Sequence, residues 1–265
     1  MLHYQEIGDG APLIILHGLF GSGDNWRSIA RQLGDQARVF AVDMPNHGNS
    51  PHTDDMSYPA MADAVYELIV ALDLGSAFVL GHSMGGKAGM ALALAHPNAV
   101  RGLIVADIAP KSYPQRHHEI IAAMKEVAAA TPSSRGEAEE ILAKRIPSKS
   151  VRAFLLKSLR KRDGGNASQS READAGYHWA LNIDGISECY AGLTSWPDID
   201  GAYDGPSLFI AGGTSDYVDP EDITDIQRLF PHAVLESIDE AGHWLHVEQR
   251  RTFTDLVRGF LAEHA

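Results

Sequence analysis

At 265 residues, 45% of them hydrophobic, the chain is long enough to bury roughly three quarters of its unfolded surface within one large α/β unit, and needs no covalent staples. A formal net charge of −13 excludes the basic footprint of a nucleic-acid binder. One cysteine, Cys189, excludes an internal disulfide; no run approaches the ~18 apolar residues of a membrane span, and Met1-Leu2-His3-Tyr4-Gln5-Glu6 lacks a signal-peptide pattern, so a cytoplasmic protein without a membrane partner is expected.

Leu13–Leu16 reads as a short buried strand that runs into His17-Gly18-Leu19-Phe20-Gly21. The backbone N–H of Leu19 is a candidate donor for an oxyanion hole, and His17 reads as a brace for the loop. Val39–Val42 is a second strand, followed by Asp43-Met44-Pro45-Asn46-His47-Gly48-Asn49-Ser50, in which Asp43 reads as loop bracing. From Met61 to Leu72 the period is helical, with Met61, Val65, Leu68, Ile69 and Leu72 on one side, and Ser57 and Pro59 mark the start.

The third strand, Ala77–Leu80, is followed at once by Gly81-His82-Ser83-Met84-Gly85 and then by a small-residue helical segment, Lys87 to His96. A strand that reverses this sharply into a helix forces the central serine into a strained conformation with its hydroxyl projecting from the sheet. Gly81 and Gly85 are there because a Cβ at either place would strike neighbouring backbone. Ser83 is therefore the candidate nucleophile. It requires a base and donors for a developing oxyanion, and the N–H of Met84 joins that of Leu19 as the second donor.

A fourth strand, Leu103–Ala106, ends at Asp107. From Lys111 to Gly201 no strong strand appears, only helical patches interrupted by Pro132, Pro147, Gly164-Gly165 and Pro197. This interval, 111–201, is expected to be a helical cap over a core made of 1–110 and 202–265. Phe154, Tyr177, Trp179, Tyr190 and Trp196 are candidate pocket-lining residues, although each is individually more usual as packing. Lys144 to Arg162 carries eight basic residues and no acidic one, either a solvated face or a landing surface for an anionic part of a substrate. His117-His118-Glu119 offers ligand types, but adjacent helical residues diverge and no further ligands stand at a recognised spacing, so no metal is expected. Leu208–Ala211 and Val234–Ile238 complete the strands, with helices after Pro220 and Glu248. The last strand leads into Asp239-Glu240-Ala241-Gly242-His243, which places His243 as the candidate base. Strands alternating with helical segments imply an α/β fold with a mostly parallel sheet covered on both faces.

Six segments together resemble the α/β-hydrolase superfamily of serine hydrolases, and more narrowly the small bacterial YbfF-type carboxylesterases. They are His17 to Ser22, Asp43 to Ser50, Gly81 to Lys87, Ala106-Asp107-Ile108-Ala109-Pro110, Gly212-Gly213-Thr214-Ser215 and Gly242-His243-Trp244. The Gly-Gly-Lys continuation after Ser83 and the Asp-Ile-Ala-Pro segment carry the narrower resemblance. The resemblance implies hydrolysis of a small acyl ester or thioester with no cofactor. In most of the superfamily the acid that orients the histidine follows the fifth strand in a Gly-x-x-Asp-x-x-Val pattern. Here Ser215 occupies that place and Asp216 lies one residue later. In the narrower family the acid follows the fourth strand, which implies Asp107, with Asp216 as the alternative and Ser215 as a supporting hydrogen-bond donor. A Ser83–His243–Asp107 triad acting through an acyl-enzyme is the expected chemistry. Haloalkane dehalogenases and epoxide hydrolases use Asp where this chain has Ser83. A thioesterase, a C–C bond hydrolase and a non-enzymatic ligand receptor remain as rivals, and the motifs leave acyl length and oligomeric state open.

Overall fold

The computed structural model describes residues 1–162 and 176–265, so the expected breaker Gly164-Gly165 lies outside the described residues. A seven-stranded sheet is built from β1 (Tyr4–Ile7), β2 (Ala11–Leu16), β3 (Ala37–Val42), β4 (Ala77–His82), β5 (Val100–Ala106), β8 (Ser207–Gly212) and β9 (Ala233–Ile238), in the order β1-β3-β2-β4-β5-β8-β9. Only β1 runs antiparallel, against β3; all other pairs are parallel. The mostly parallel sheet, covered by helices on both faces, is the α/β architecture expected. β1 is an addition: four residues with two polar side chains carry too little apolar alternation to stand out in the sequence.

Successive side chains of the central strands point to opposite faces, and each face has its own core. Leu13, Ile15, Phe78, Leu80, Ile104 and Ala106 pack with Ile29 and Leu33 of α1 (Arg27–Leu33) and with Phe253, Val257 and Phe260 of α10 (Arg250–His264). Ile14, Leu16, Val79 and Val105 pack on the other face with α2 (Tyr58–Ala71) and α3 (Met84–Ala95). The start of α2 is fixed as its sequence implies: Ser57 Oγ accepts from the Ala60 N–H at 3.3 Å, and proline stands in the first turn where no N–H is needed.

Between β5 and β8 lie α4 (His118–Ala130), α5 (Arg135–Ala143), α6 (Lys149–Leu156), a short antiparallel pair β6 (Leu159–Lys161) and β7 (Tyr177–Trp179), and α7 (Ile183–Thr194). The β6–β7 pair was not expected, because three-residue strands containing Arg160, Lys161 and His178 show no strand pattern. These elements are stitched to the sheet's loops by backbone. Gly48 N–H donates to Ala180 O at 2.7 Å and Asn182 N–H to Asn46 O at 2.9 Å. The C-terminal carbonyls of α7 are caught from below: Tyr58 Oη donates to Leu193 O at 2.6 Å, and Lys87 Nζ to Ser195 O at 2.8 Å and Thr194 O at 3.3 Å. Two further helices, α8 (Ile223–Leu229) and the single turn α9 (Leu245–Glu248), complete the described chain. No helix among the described residues is long and apolar enough to cross a membrane.

Candidate active site

Ser83 sits between β4 and α3 with φ 53° and ψ −117°, a left-handed conformation that non-glycine residues adopt only under local constraint. The constraint is visible in its neighbours. A Cβ on Gly81 would run into Gly85 O, and one on Gly85 into Leu16 O, so the turn closes only with glycine at both places. The Ser83 N–H is anchored on Ala106 O at 3.1 Å, which ties the turn to the end of β5.

Asp107, the next residue along β5, is fully buried and also has positive φ, 51°. Its Oδ1 accepts from the Gly212 N–H at 2.8 Å; its Oδ2 accepts from Ser215 Oγ at 2.5 Å and from His243 Nδ1 at 2.7 Å. Burial pushes the Asp107 carboxyl upward, but the hydrogen bonds from His243, Gly212 and Ser215 outweigh it and hold the group below its ordinary value. An ionised acceptor on Nδ1 fixes the proton there and leaves Nε2 of His243 as the free basic nitrogen. Asp216, the alternative acid, turns outward, is 65% exposed and pairs with Arg116 at 2.5 Å. Ser215 and Asp107 thus come together with His243, and Asp216 does not.

His243 is held from two further sides. Its carbonyl accepts from His82 Nε2 at 2.8 Å, which requires the proton of His82 to sit on Nε2. Burial, reinforced by the neighbouring His243, pulls His82 down to about 3, so this donor is a neutral imidazole. The ring of Tyr217 stacks on His243 at 3.8 Å, and Tyr217 is itself fixed by Tyr113 Oη, which donates to Tyr217 O at 2.6 Å. The role of His82 is written in the variable position of Gly-x-Ser-x-Gly, but its target lies 161 residues away and leaves no local signal.

The loop after β2 carries Leu19. His17 shapes it: Nδ1 donates to Gly18 O at 2.8 Å and Nε2 accepts from the Met44 N–H at 3.0 Å, while burial lowers its pKa to about 4. Phe20 is left-handed, φ 65°, and its N–H goes to His47 Nε2 at 3.2 Å. Asp43 accepts from the N–H groups of Gly23 at 2.8 Å and Asn49 at 2.9 Å, bracing the adjoining loop. Among the described residues, neither the Leu19 nor the Met84 N–H has an acceptor within the chain.

Two cavities meet at Ser83. The larger, about 250 Å³, is lined by Ser83, His243, His82, Trp26, Ile120, Phe154 and Trp244 among others. The smaller, about 50 Å³, is lined by Ser83, Met84, Lys87, Tyr113, Tyr190 and Leu193 among others. Of the aromatic residues expected to line a pocket, Phe154 faces the first and Tyr190 the second. Trp179 instead packs inside the inserted segment, donating from Nε1 to Met124 O at 2.9 Å. A roomier groove of about 630 Å³ between β8, β9 and α10 contains neither Ser83 nor His243. His117, His118 and Glu119 go separate ways: His117 Nδ1 meets Tyr190 Oη at 2.9 Å, His118 packs on the Tyr190 ring, and Glu119 pairs with Arg145. No group of three or more His, Cys, Asp or Glu able to hold a metal occurs among the described residues.

Comparison with known proteins bears on the fold and the family. The family model for the alpha/beta hydrolase fold matches residues 11–249. The chain is 38% identical over 262 residues to an sn-1-specific diacylglycerol lipase of Danio rerio, covering 96% of this chain and 79% of that one. It is 36% identical over 258 residues to the esterase YbfF of Escherichia coli, covering 97% and 95%. Among solved structures it superposes on a marine microorganism esterase with a TM-score of 0.90 at 42% identity, covering 98% of both chains. Sheet order, the strained serine turn and these similarities lead to one conclusion: the chain belongs to the alpha/beta hydrolase family.

Proposed function

We propose that the protein is a serine carboxylesterase that works through Ser83, His243 and Asp107. One observation carries the reading: Ser83, on a strained strand-to-helix turn, shares a cavity with His243, whose Nδ1 is bound to the buried Asp107 at 2.7 Å. In the first step Ser83 Oγ attacks the ester carbonyl while its proton passes to His243 Nε2. The resulting oxyanion takes hydrogen bonds from the Leu19 and Met84 N–H groups, donors already oriented before reaction. The C–O bond then breaks, His243 gives its proton to the departing alkoxide, and the acyl group stays on Ser83. A water deprotonated by His243 releases the acid and restores the serine. Asp107 holds the imidazole in the required tautomer and stabilises its charged form. The described elements α4 to α7 act as a cap that limits water at the reacting carbon.

The names of the relatives, an esterase and a lipase, support ester cleavage. A second reading, thioester cleavage, draws support from α6: this helix lies within the basic run and contributes Val151 and Phe154 to the larger cavity. Three of the run's arginines are already engaged, Arg145 with Glu119 and Glu126, Arg152 with the carbonyls of Ile146 and Pro147, and Arg160 with Asn49. Among the described residues the run's lysines, Lys144, Lys149, Lys157 and Lys161, form no ion pair, and they are the groups that would meet an anion. The test of the main reading is covalent labelling by a fluorophosphonate at Ser83 together with turnover of p-nitrophenyl esters. Ser83→Ala should lose both, with a fall in kcat on the order of 10⁶. Ester turnover within tenfold of the parent would overturn it. Tight ligand binding without turnover in the parent would favour the receptor reading.

A further inference from the structure

The two cavities at Ser83 differ in size and in which of them holds the base, and this difference fixes which part of an ester each receives. The alkoxide that leaves in the first step must take its proton from His243, so the leaving oxygen lies on the His243 side of the serine. His243, with Trp244, lines only the larger cavity. The smaller cavity holds Met84, one of the two oxyanion donors, and extends from Ser83 on the side without the base. We infer that the smaller cavity is the acyl pocket, that it admits unbranched acyl groups of about two to four carbons, and that the larger cavity receives the alcohol portion, which can be bulky and aromatic. The inference rests on the assignment of Ser83 and His243 as nucleophile and base.

The size limit follows from the walls. A space of about 50 Å³ open to the centres of water-sized groups, at about 10–15 Å³ for each, takes roughly three to five such groups, the scale of a short acyl chain counted with its carbonyl. Its inner end is formed by Tyr58, Lys87, Ile108 and Leu193, none more than 6% exposed. That end is stiff. Tyr58 and Lys87 spend their polar atoms on the last carbonyls of α7, and the Lys87 ammonium lies 5.4 Å from the Tyr58 ring and 4.8 Å from the Tyr113 ring. A longer acyl chain would have to push α7 off these buried bonds. The larger cavity is walled by Ile120, Val151, Phe154, Leu155 and Trp244, apolar side chains from the inserted helices and the His243 loop, with Trp26 and His246 stacked at 4.3 Å beneath.

Two substrate series on the full chain test this. Across p-nitrophenyl acetate, butyrate, hexanoate and decanoate, kcat/KM should fall by about 100-fold beyond butyrate, the discrimination a filled apolar pocket gives against added methylenes. Across acetates of ethanol, hexanol, benzyl alcohol and naphthol it should hold level or rise. Leu193→Ala enlarges the small cavity and should raise the hexanoate-to-acetate ratio by about tenfold, whereas Leu193→Phe should lower the butyrate-to-acetate ratio by a similar factor. Opposite signs from one position separate a size limit from general damage, and the parent's own profile stands if either variant fails to fold. A parent that prefers decanoate, or an acyl preference moved by Phe154→Ala and not by either Leu193 variant, overturns the assignment while leaving the triad intact. A parent that turns over no ester and takes no fluorophosphonate overturns the triad reading first.

Discussion

Asp107→Asn is the substitution whose effect the site specifies most completely. The side chain keeps its shape and its two outer positions, but only one of them can now accept. Gly212 offers an N–H at 2.8 Å from Oδ1, and a backbone N–H can only donate, so the amide oxygen must settle there. The amide NH₂ then faces Ser215 Oγ and His243 Nδ1, where the carboxylate oxygen had stood. Ser215 can rotate to accept, whereas His243 can accept only by moving its own proton to Nε2. That is the wrong tautomer for taking a proton from Ser83. The loss in kcat should be about 10⁴, equal to about 5 kcal/mol of transition-state stabilisation at 1.36 kcal/mol per tenfold. Steady-state hydrolysis of p-nitrophenyl acetate measures it, and the parent's downfield imidazole Nδ1–H proton signal should vanish from the NMR spectrum. Ser215→Ala, which removes one neutral donor from an already well-served carboxylate, should cost about tenfold in line with a hydrogen bond worth about 1 kcal/mol. Asp216→Asn should cost less than that, since its partner is the exposed Arg116. A crippling Asp216→Asn beside a mild Asp107→Asn would falsify the assignment of the acid.

Three other outcomes are expected. Gly85→Ala drives a Cβ into the end of β2, beside the Leu19 loop, and should spread the two oxyanion donors; kcat should fall by roughly 10²–10³, and an unchanged kcat would separate those donors from catalysis. His17, His47 and His82 are held neutral by burial, down to about 4, 3 and 3. Their folded pKa values lie below the unfolded value, so the unfolded chain binds more protons and stability is lost as pH falls from about 6.5, by up to ~1.4 kcal/mol per pH unit for each histidine. Urea titrations should show this slope between about pH 6.5 and 4, and a flat profile there would contradict neutral burial. Lys149→Ala, Lys157→Ala and Lys161→Ala together should raise KM for a short acyl-CoA at low salt and leave p-nitrophenyl acetate nearly unchanged, the gap closing as salt screens the charges. Equal effects on both would return the run to a solvated surface.

The parts of the fold and site legible in the sequence are those encoded by neighbours along the chain. The serine turn needs a strand, two glycines and a helix within fifteen residues or so, and the structure has them where the pattern implies. His243 is likewise announced by a strand and a Gly-His loop. The choice between Asp107 and Asp216 is different, because it depends on β5 and β8 being sheet neighbours and on the turn that points Asp216 away. The resemblance to a family supplied what spacing alone left open. Lys87 was visible only as a motif letter. Its work is done on the carbonyls of Thr194 and Ser195, which lie far along the chain, and a lone lysine in a small-residue helix gives no hint of them. The strands β1, β6 and β7 escaped notice because short edge pairings follow backbone geometry more than side-chain pattern.

Parallel neighbours in a sheet end side by side, and here that has a consequence for where the acid must be encoded. Asp107 follows β5 and Ser215 follows β8, yet Ser215 Oγ, at 2.5 Å, reaches the same Asp107 oxygen, Oδ2, that His243 Nδ1 reaches at 2.7 Å. The histidine's requirement is thus a negative charge at one point in space, and that point has two addresses in the chain. Exchanging the contents of the two addresses, Asp107→Ser with Ser215→Asp, moves the charge to the adjoining strand while keeping a hydroxyl beside it. Such a double variant should recover activity that Asp107→Ser alone loses.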